Sequence, residues 1–295
     1  KRTFEYGLAI DGLRQILWGL FKKIVIADNC AEYANMIFNN SDDYSGSTLV
    51  LGALLFTFQI YGDFSGYSDI AIGTSRLFGF NLMRNFAFPY FSRDIAEFWR
   101  RWHISLSTWF REYLYIPLGG SQGGAWMKVR NTFIIFLVSG FWHGANWTFI
   151  VWGFLNALYF MPLLLTKNNR KNLDIVAADR IVPSARELFS MSLTFALTVF
   201  AWIFFRAESL SHAFSYIKNI FTSELFAKPT VFPLYLFGLI MFFVFMEWIG
   251  RTGQYAIENI GLKWKRPLRW GLYYGIVVLI FLFMTKEQEF IYFQF

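Results

Sequence analysis

The sequence predicts an all-α, multi-span integral membrane protein with broken or re-entrant helices, and three observations carry that prediction. First, 56% of the 295 residues are hydrophobic and only 16% are charged. With Gly counted in and Tyr out, the apolar share is about 58%, against roughly 45–50% apolar and about 25% charged in soluble domains. The surplus is aromatic, with 37 Phe, 15 Tyr and 12 Trp, and one soluble core cannot hide that much apolar surface. Second, several stretches approach the roughly 20 apolar residues that a spanning helix needs. Third, Asn131–Leu165 contains no Asp, Glu, Lys or Arg and is too long for one span. An ordinary cytosolic enzyme, a disordered chain and a coiled coil are excluded. One cysteine, Cys30, excludes an internal disulfide framework or a cysteine-rich metal site. The net charge of +7 fits cationic loops on the cytoplasmic side. Apolar flanks would bury a nucleic-acid surface, so no nucleic-acid partner is predicted.

Taken in order, the chain opens at Lys1 rather than Met, in an amphipathic segment with no visible signal peptide, so a preceding N-terminal portion is expected. Ala27–Gly46 carries four acids and no Lys or Arg, which suits an outside loop. An apolar run, Thr48–Tyr61, is followed by the more polar Gly62–Phe80 with Asp63, Asp69 and Arg76. Two full spans there would carry Arg84 outside, so Gly62–Phe80 is expected to be interfacial or re-entrant. Leu118–Gly124 is glycine-rich but lacks the Gly-Lys-Ser/Thr of a phosphate loop, and reads as a flexible turn. Asn131–Leu165 reads as two helices meeting at a break around His143, where Gly140, Gly144 and Asn146 cluster. Each arm then has about 15 residues, or roughly 23 Å, short of a hydrocarbon layer about 30 Å thick. The tip is expected at membrane depth, where a broken backbone must be buried in protein or line a wet cavity. Leu188–Phe205, Val231–Ile249 and Leu268–Thr285 complete the expected spans. Arg84–Arg130 and Lys167–Arg186 carry seven and five cations, which places both flanks of the hairpin in the cytoplasm. One membrane domain over residues 1–295 is the simplest organisation, with no internal repeat.

Two of the three histidines sit in unusual surroundings. Phe98–Arg111 places Trp99, Trp102, His103 and Trp109 near one helical face, with Arg100, Arg101 and Arg111 as cations. It reads either as an interfacial amphipathic helix anchored among lipid headgroups, or as a basic aromatic rim holding an anionic acyl donor at a tunnel mouth. The second histidine lies in Ser139–Trp147. An ionisable residue inside an uncharged hairpin is a candidate functional residue, and imidazole is the natural general base near neutral pH. The plain alternative is a neutral histidine hydrogen-bonded between helices. His212 is expected on the surface of an outside loop. No His/Cys pair has metal-ligand spacing and no G-x-S-x-G elbow occurs, so neither a metal site nor a serine hydrolase is predicted.

Phe98–Arg111, its continuation Glu112–Gly120 and the Ser139–Gly144 segment together resemble the membrane-bound O-acyltransferases, within them most closely the bacterial alginate O-acetyltransferase type. Gly19–Lys23, Ile26–Asp28, Tyr61–Asp69 and the closing Phe290–Phe295 match as well. The similarity covers nearly the whole chain. It implies helices around a central tunnel in the cell inner membrane. Through that tunnel an acyl group passes from a cytoplasmic thioester, acetyl-CoA or another, to an outside hydroxyl, with no bound cofactor. The essential histidine of the family corresponds to His143 and the second to His103. The related D-alanine exporters of teichoic acid modification share the Trp-His core but typically lack the continuation seen in Tyr115–Gly120, which favours the polysaccharide branch.

The expected chemistry follows. Arg100, Arg101 and Arg111 favour the donor's phosphates, and Trp99 and Trp102 line its path. His143 takes the proton of the accepting hydroxyl. Asn146 or an indole N–H of Trp142 or Trp147 donates to the oxyanion, and His103 positions the donor or shares the proton transfer. Membrane lipids surround the chain, and a periplasmic or extracellular acetyltransferase is the expected partner, with Tyr292 as an acyl relay to it. D-alanyl transfer from a carrier protein and a non-catalytic transporter remain the alternatives.

Overall fold

The computed structural model describes residues 4–222, 224–284 and 290. Among them the regular structure is helical, with no strand, as the composition predicts. Helix α1 (Tyr6–Leu20) runs into a π-helical stretch, Phe21–Ala27, and then α2 (Asp28–Asn39). Next comes α3 (Gly46–Leu77), then the short pair α4 (Ile95–Arg101) and α5 (Ile104–Phe110), the second continuing into π-helical Arg111–Tyr115. The hairpin α6 (Ala125–His143) and α7 (Trp147–Leu165) follows, then α8 (Ala185–Arg206), α9 (Leu210–Thr222), α10 (Leu234–Gly250) and α11 (Arg266–Leu282). By length and composition α3, α7 and α8 can each cross a membrane, and apolar Leu234–Ile249 is shorter. The expected spans at 231–249 and 268–285 are thus 17-residue helices, about 25 Å long. Thr285 and Tyr292 lie outside the described residues.

The packing separates into two compact units. One takes the chain up to Ile37, Leu54–Ala87 and the residues from Thr230 onward. Here α1 and α3 touch backbone to backbone. A Cβ on Gly19 would come within 2.7 Å of the Gly66 carbonyl, and one on Gly66 within 2.8 Å of the Gly19 carbonyl. That approach buries the charges of α3. Lys22 pairs with Asp69 at 2.6 Å, and Lys23 bridges Asp28 and Asp63, each at 2.8 Å. Gln15 donates to Asp69 at 2.7 Å, while Trp18 (3.1 Å) and Tyr61 (2.5 Å) donate to the Glu247 carboxylate. The expectation of a separate interfacial or re-entrant Gly62–Phe80 is therefore corrected: Gly46–Leu77 is one continuous helix of 32 residues, about 48 Å long. Its acids need no aqueous surface because lysines from the π-helical stretch meet them.

The other unit takes Phe38–Ala53 and Phe88–Pro229. Gly140 faces the Phe149 carbonyl and Gly153 the Phe136 carbonyl, with no room for a Cβ at either, so α6 and α7 close as a tight hairpin. The break falls at His143–Asn146, where the uncharged stretch predicts it. Each arm has 19 residues rather than the expected 15, because α6 starts at Ala125 and takes Lys128 and Arg130 into its first turns. At about 29 Å an arm is longer than the roughly 23 Å expected, which corrects the arm length. Around α7 and α8 an aromatic core forms. Trp152 stacks on Trp202 (5.6 Å between centroids), and Trp102 packs against Trp202 (5.2 Å) and Phe98 (5.5 Å). His212, expected in a surface loop, is half-buried on α9 near Phe38 and Tyr216.

Candidate active site

Phe98–Arg111 does not form one helix. Asp94 caps α4 by accepting from the Glu97 N–H at 2.7 Å, and α4 stops at Arg101. His103 then takes a left-handed conformation (φ 44°, ψ 55°) and starts α5. Such a backbone is uncommon for a residue with a side chain, though histidine tolerates it better than most, and it costs about 1–3 kcal/mol that the surrounding packing must offset. The single helical face expected for Trp99, Trp102, His103 and Trp109 is corrected by this break. Trp102 and His103 turn inward, at 4% and 8% exposure, and Trp109 is left 51% exposed.

The break opens a cavity of about 510 Å³ inside this unit. His103 and His143, separated by 40 residues of sequence, both line it, together with Trp99, Trp102 and Arg111. The wall is otherwise largely apolar, from Leu106, Phe110, Ile135, Phe136, Phe160 and Leu164. At its inner end the His143 ring stands edge-on to Trp152 (5.2 Å), Phe205 (5.0 Å) and Trp142 (5.0 Å). Trp142 also meets the His103 ring at 6.2 Å, so one indole lies against both imidazoles. Burial pushes the His103 pKa down to about 4, which keeps that ring neutral near pH 7.

The opposite end of the cavity is cationic. Lys128 lies near the start of α6, and Lys167 and Arg170 follow the end of α7; all three line the cavity. None of them is paired with a carboxylate among the described residues. Since α6 and α7 are antiparallel, the cations gather at the open ends of the hairpin and His143 at its closed end. From Lys128 to His143 the rise along α6 is about 22 Å. The sequence carries a signal for this wall: Lys128, Thr132, Phe136, Ser139 and His143 recur every three or four residues, the spacing of one helical face.

Other sequence-predicted residues are placed elsewhere. Arg100 donates to the carbonyls of Asn169 (2.8 Å) and Asn172 (2.6 Å). Arg101 donates to buried Glu97 (2.8 Å) and to the Asp174 carbonyl (3.0 Å). Both arginines thus hold the loop after α7, and that loop carries Lys167 and Arg170 into the cavity. Asn146 caps α7, accepting from the Thr148 N–H at 3.1 Å and donating to the Glu208 carbonyl at 3.0 Å. Trp147 is 72% exposed. The glycine turn, expected to be flexible, is pinned by Asn131, which donates to the carbonyls of Leu118 (3.2 Å) and Gly120 (3.1 Å).

The sequence model of the membrane-bound O-acyltransferase family matches residues 5–205, a range that contains every cavity residue named above. The chain is 42% identical over 221 residues to a "Probable alginate O-acetylase AlgI" of Azotobacter vinelandii, an alignment covering 75% of this chain and 42% of that protein. A protein of the same name from Pseudomonas putida is 36% identical over the whole chain and 63% of its own length. A "Peptidoglycan O-acetyltransferase" of Helicobacter pylori is 31% identical, again over the whole chain and over 57% of that protein. Proteins named teichoic acid D-alanyltransferase match more distantly. The chain spans between 42% and 63% of the length of the three relatives just described.

Proposed function

We propose, from the premise that this chain belongs to the membrane-bound O-acyltransferase family, that it moves an acetyl group from a cytoplasmic thioester to a hydroxyl in the O-acetylation of an exported polysaccharide. The observation that carries the reading is the single cavity that joins both histidines to a cationic end. Unpaired cations in a largely apolar channel suit a donor with a phosphorylated head and a thioester tail, as in acetyl-CoA. Lys128, Lys167 and Arg170 take the head, with Arg111, which pairs with Glu112 at 3.1 Å, beside them, in place of the Arg100 and Arg101 that the sequence suggests. His143, at the far end, takes the proton of the accepting hydroxyl as oxygen attacks the thioester carbonyl. The buried rings of Trp152 and Phe205 back His143 there and keep water from that side, which strengthens each electrostatic contact to the developing charge. Neutral His103 orients the donor from the other wall.

The chain sits in the cell inner membrane as a multi-pass protein, with the cationic end of the hairpin in the cytoplasm. It hands the acetyl group to a periplasmic or extracellular acetyltransferase, with Tyr292 as the relay. The lower similarity to proteins named teichoic acid D-alanyltransferase makes D-alanyl transfer the second reading. Mass spectrometry of the exported polymer separates an acetyl from a D-alanyl ester. For the histidine, acetyl transfer is measured in membranes carrying the natural full-length protein and its His143→Ala variant. Loss of a general base predicts a fall of about 10³-fold. Transfer at the parent rate, with equal protein abundance, defeats the assignment.

A further inference from the structure

Ser139 is one helical turn before His143, and the sequence reading passed over it. It is 6% exposed and lines the cavity. Residues four apart on a helix share a face, and helical side chains lean toward the N-terminus, so the His143 ring reaches back over the turn that carries Ser139. The other hydroxyls of the cavity are committed. Ser107 donates to the Trp102 carbonyl (3.3 Å), Thr132 to the Lys128 carbonyl (2.8 Å), and Tyr115 and Ser121 share a bond (2.9 Å). Buried hydroxyls of α8 also turn back onto the chain, Thr194 onto Ser190 and Thr198 onto Thr194, both at 2.9 Å. Ser139 does neither: its hydroxyl has no hydrogen-bond partner among the described residues. The hydroxyl itself stays accessible to the cavity, and the group that meets it there is what enters. Of the donors that the sequence offered for the oxyanion, Asn146 is spent on its helix cap and Trp147 is exposed, while Trp142 stands beside the His143 ring, half exposed and outside the cavity lining.

We propose that Ser139 is a catalytic residue whose hydroxyl donates a hydrogen bond to the carbonyl oxygen of the bound acyl thioester. This rests on the acyl-transfer reading above. The acceptor oxygen bonds to the carbonyl carbon while the carbonyl π pair moves onto oxygen, where Ser139 holds it. His143 takes the acceptor's proton. On collapse the C–S bond breaks, the carbonyl re-forms, and the leaving thiolate takes the proton from His143. Ser139 keeps its own proton throughout and forms no covalent bond.

The test compares the full-length protein with Ser139→Ala and, in parallel, His143→Ala. Removal of one oxyanion donor predicts a kcat about 10²-fold lower, with donor KM within a factor of three and an unchanged melting midpoint. A carbonyl-¹³C acetyl thioester bound to the parent shows an infrared carbonyl band at lower frequency than when bound to Ser139→Ala, a shift that a merely structural serine would not produce. If Ser139→Ala transfers within twofold of the parent while His143→Ala does not, the role of Ser139 is wrong and the acyl-transfer reading stands. If both variants transfer normally, the acyl-transfer reading itself fails and this role with it. Labelled acetyl left covalently on denatured parent, and absent from Ser139→Ala, also overturns the proposal by making Ser139 a nucleophile.

Discussion

Two regions of this molecule place polar groups in an apolar chain, and they treat them in opposite ways. In the unit built on α1, α3 and α10, the buried charges meet charges or donors: Lys22 with Asp69, Lys23 with Asp28 and Asp63, Glu247 with Trp18 and Tyr61. In the unit built on α4 to α8, Lys128, Lys167, Arg170 and the Ser139 hydroxyl have no such partner among the described residues, and all four line one cavity. Burying a charge is costly unless it is paired. The first region therefore resolves the cost of these charges within the fold and is structural. The second leaves Lys167 and Arg170 exposed at the cavity mouth and Lys128 and Ser139 along its wall, open to whatever enters, which is the arrangement of a binding site. Charge alone does not mark a site in a membrane protein; charge left for something else to pair does.

The comparison breaks most readily at Lys22. Its side chain is 4% exposed beside Asp69, so Lys22→Met leaves a buried carboxylate uncompensated, at a cost of about 3–5 kcal/mol. The expected outcome is a sharp drop in folded protein recovered in detergent. Adding Asp69→Asn removes the stranded charge while still accepting from Gln15, and most of the loss returns. An unchanged melting midpoint in Lys22→Met would mean that the cluster is not structural.

The cavity cations predict the converse, an effect on binding without one on folding. Lys167→Ala, and separately Arg170→Ala, should raise donor KM about twofold to fivefold, as expected for losing one solvent-exposed ion pair. The melting midpoint should not move. Raising salt should narrow the difference between parent and variant, because part of the attraction is screened. A KM indifferent to both substitutions would remove the cationic end from the donor site.

How much of this was legible in the sequence depended on the range of the interactions. The hairpin and its break were readable, because an uncharged run with Gly140 and Gly144 beside His143 is a local signal. Helix α3 was misread as two segments. Asp63 and Asp69 are visible as charges, but their lysines lie 40 and 47 residues away. The break between α4 and α5 was hidden for a similar reason, since nothing local to Trp102-His103-Ile104 demands a left-handed backbone and packing against Trp202 and Phe98 decides it. The exchange of Arg100 and Arg101 for Lys167 and Arg170 turns on how the loop after α7 folds, which periodicity does not describe. Ser139 was within reach, four residues from His143, and needed only the helical register of α6.

The smallest expected effect sharpens the comparison inside one motif. Trp102 and Trp109 sit in the same aromatic-basic segment and look equivalent in sequence. Trp102 is 4% exposed, packed between Phe98 and Trp202, and lines the cavity. Trp109 is 51% exposed, and its described packing is a stack on Tyr113 at 5.4 Å and an edge contact with Phe110. Trp102→Ala should cost about 3–5 kcal/mol of stability, the usual loss for a large aromatic in a core. Trp109→Ala should leave transfer within twofold and the melting midpoint nearly unmoved, because exposed positions away from such features change stability by about 0.5 kcal/mol or less. If Trp109→Ala instead lowered transfer as far as Ser139→Ala, the outer face of α5 would belong to the site, and the line drawn here between lining and flanking residues would have to move outward.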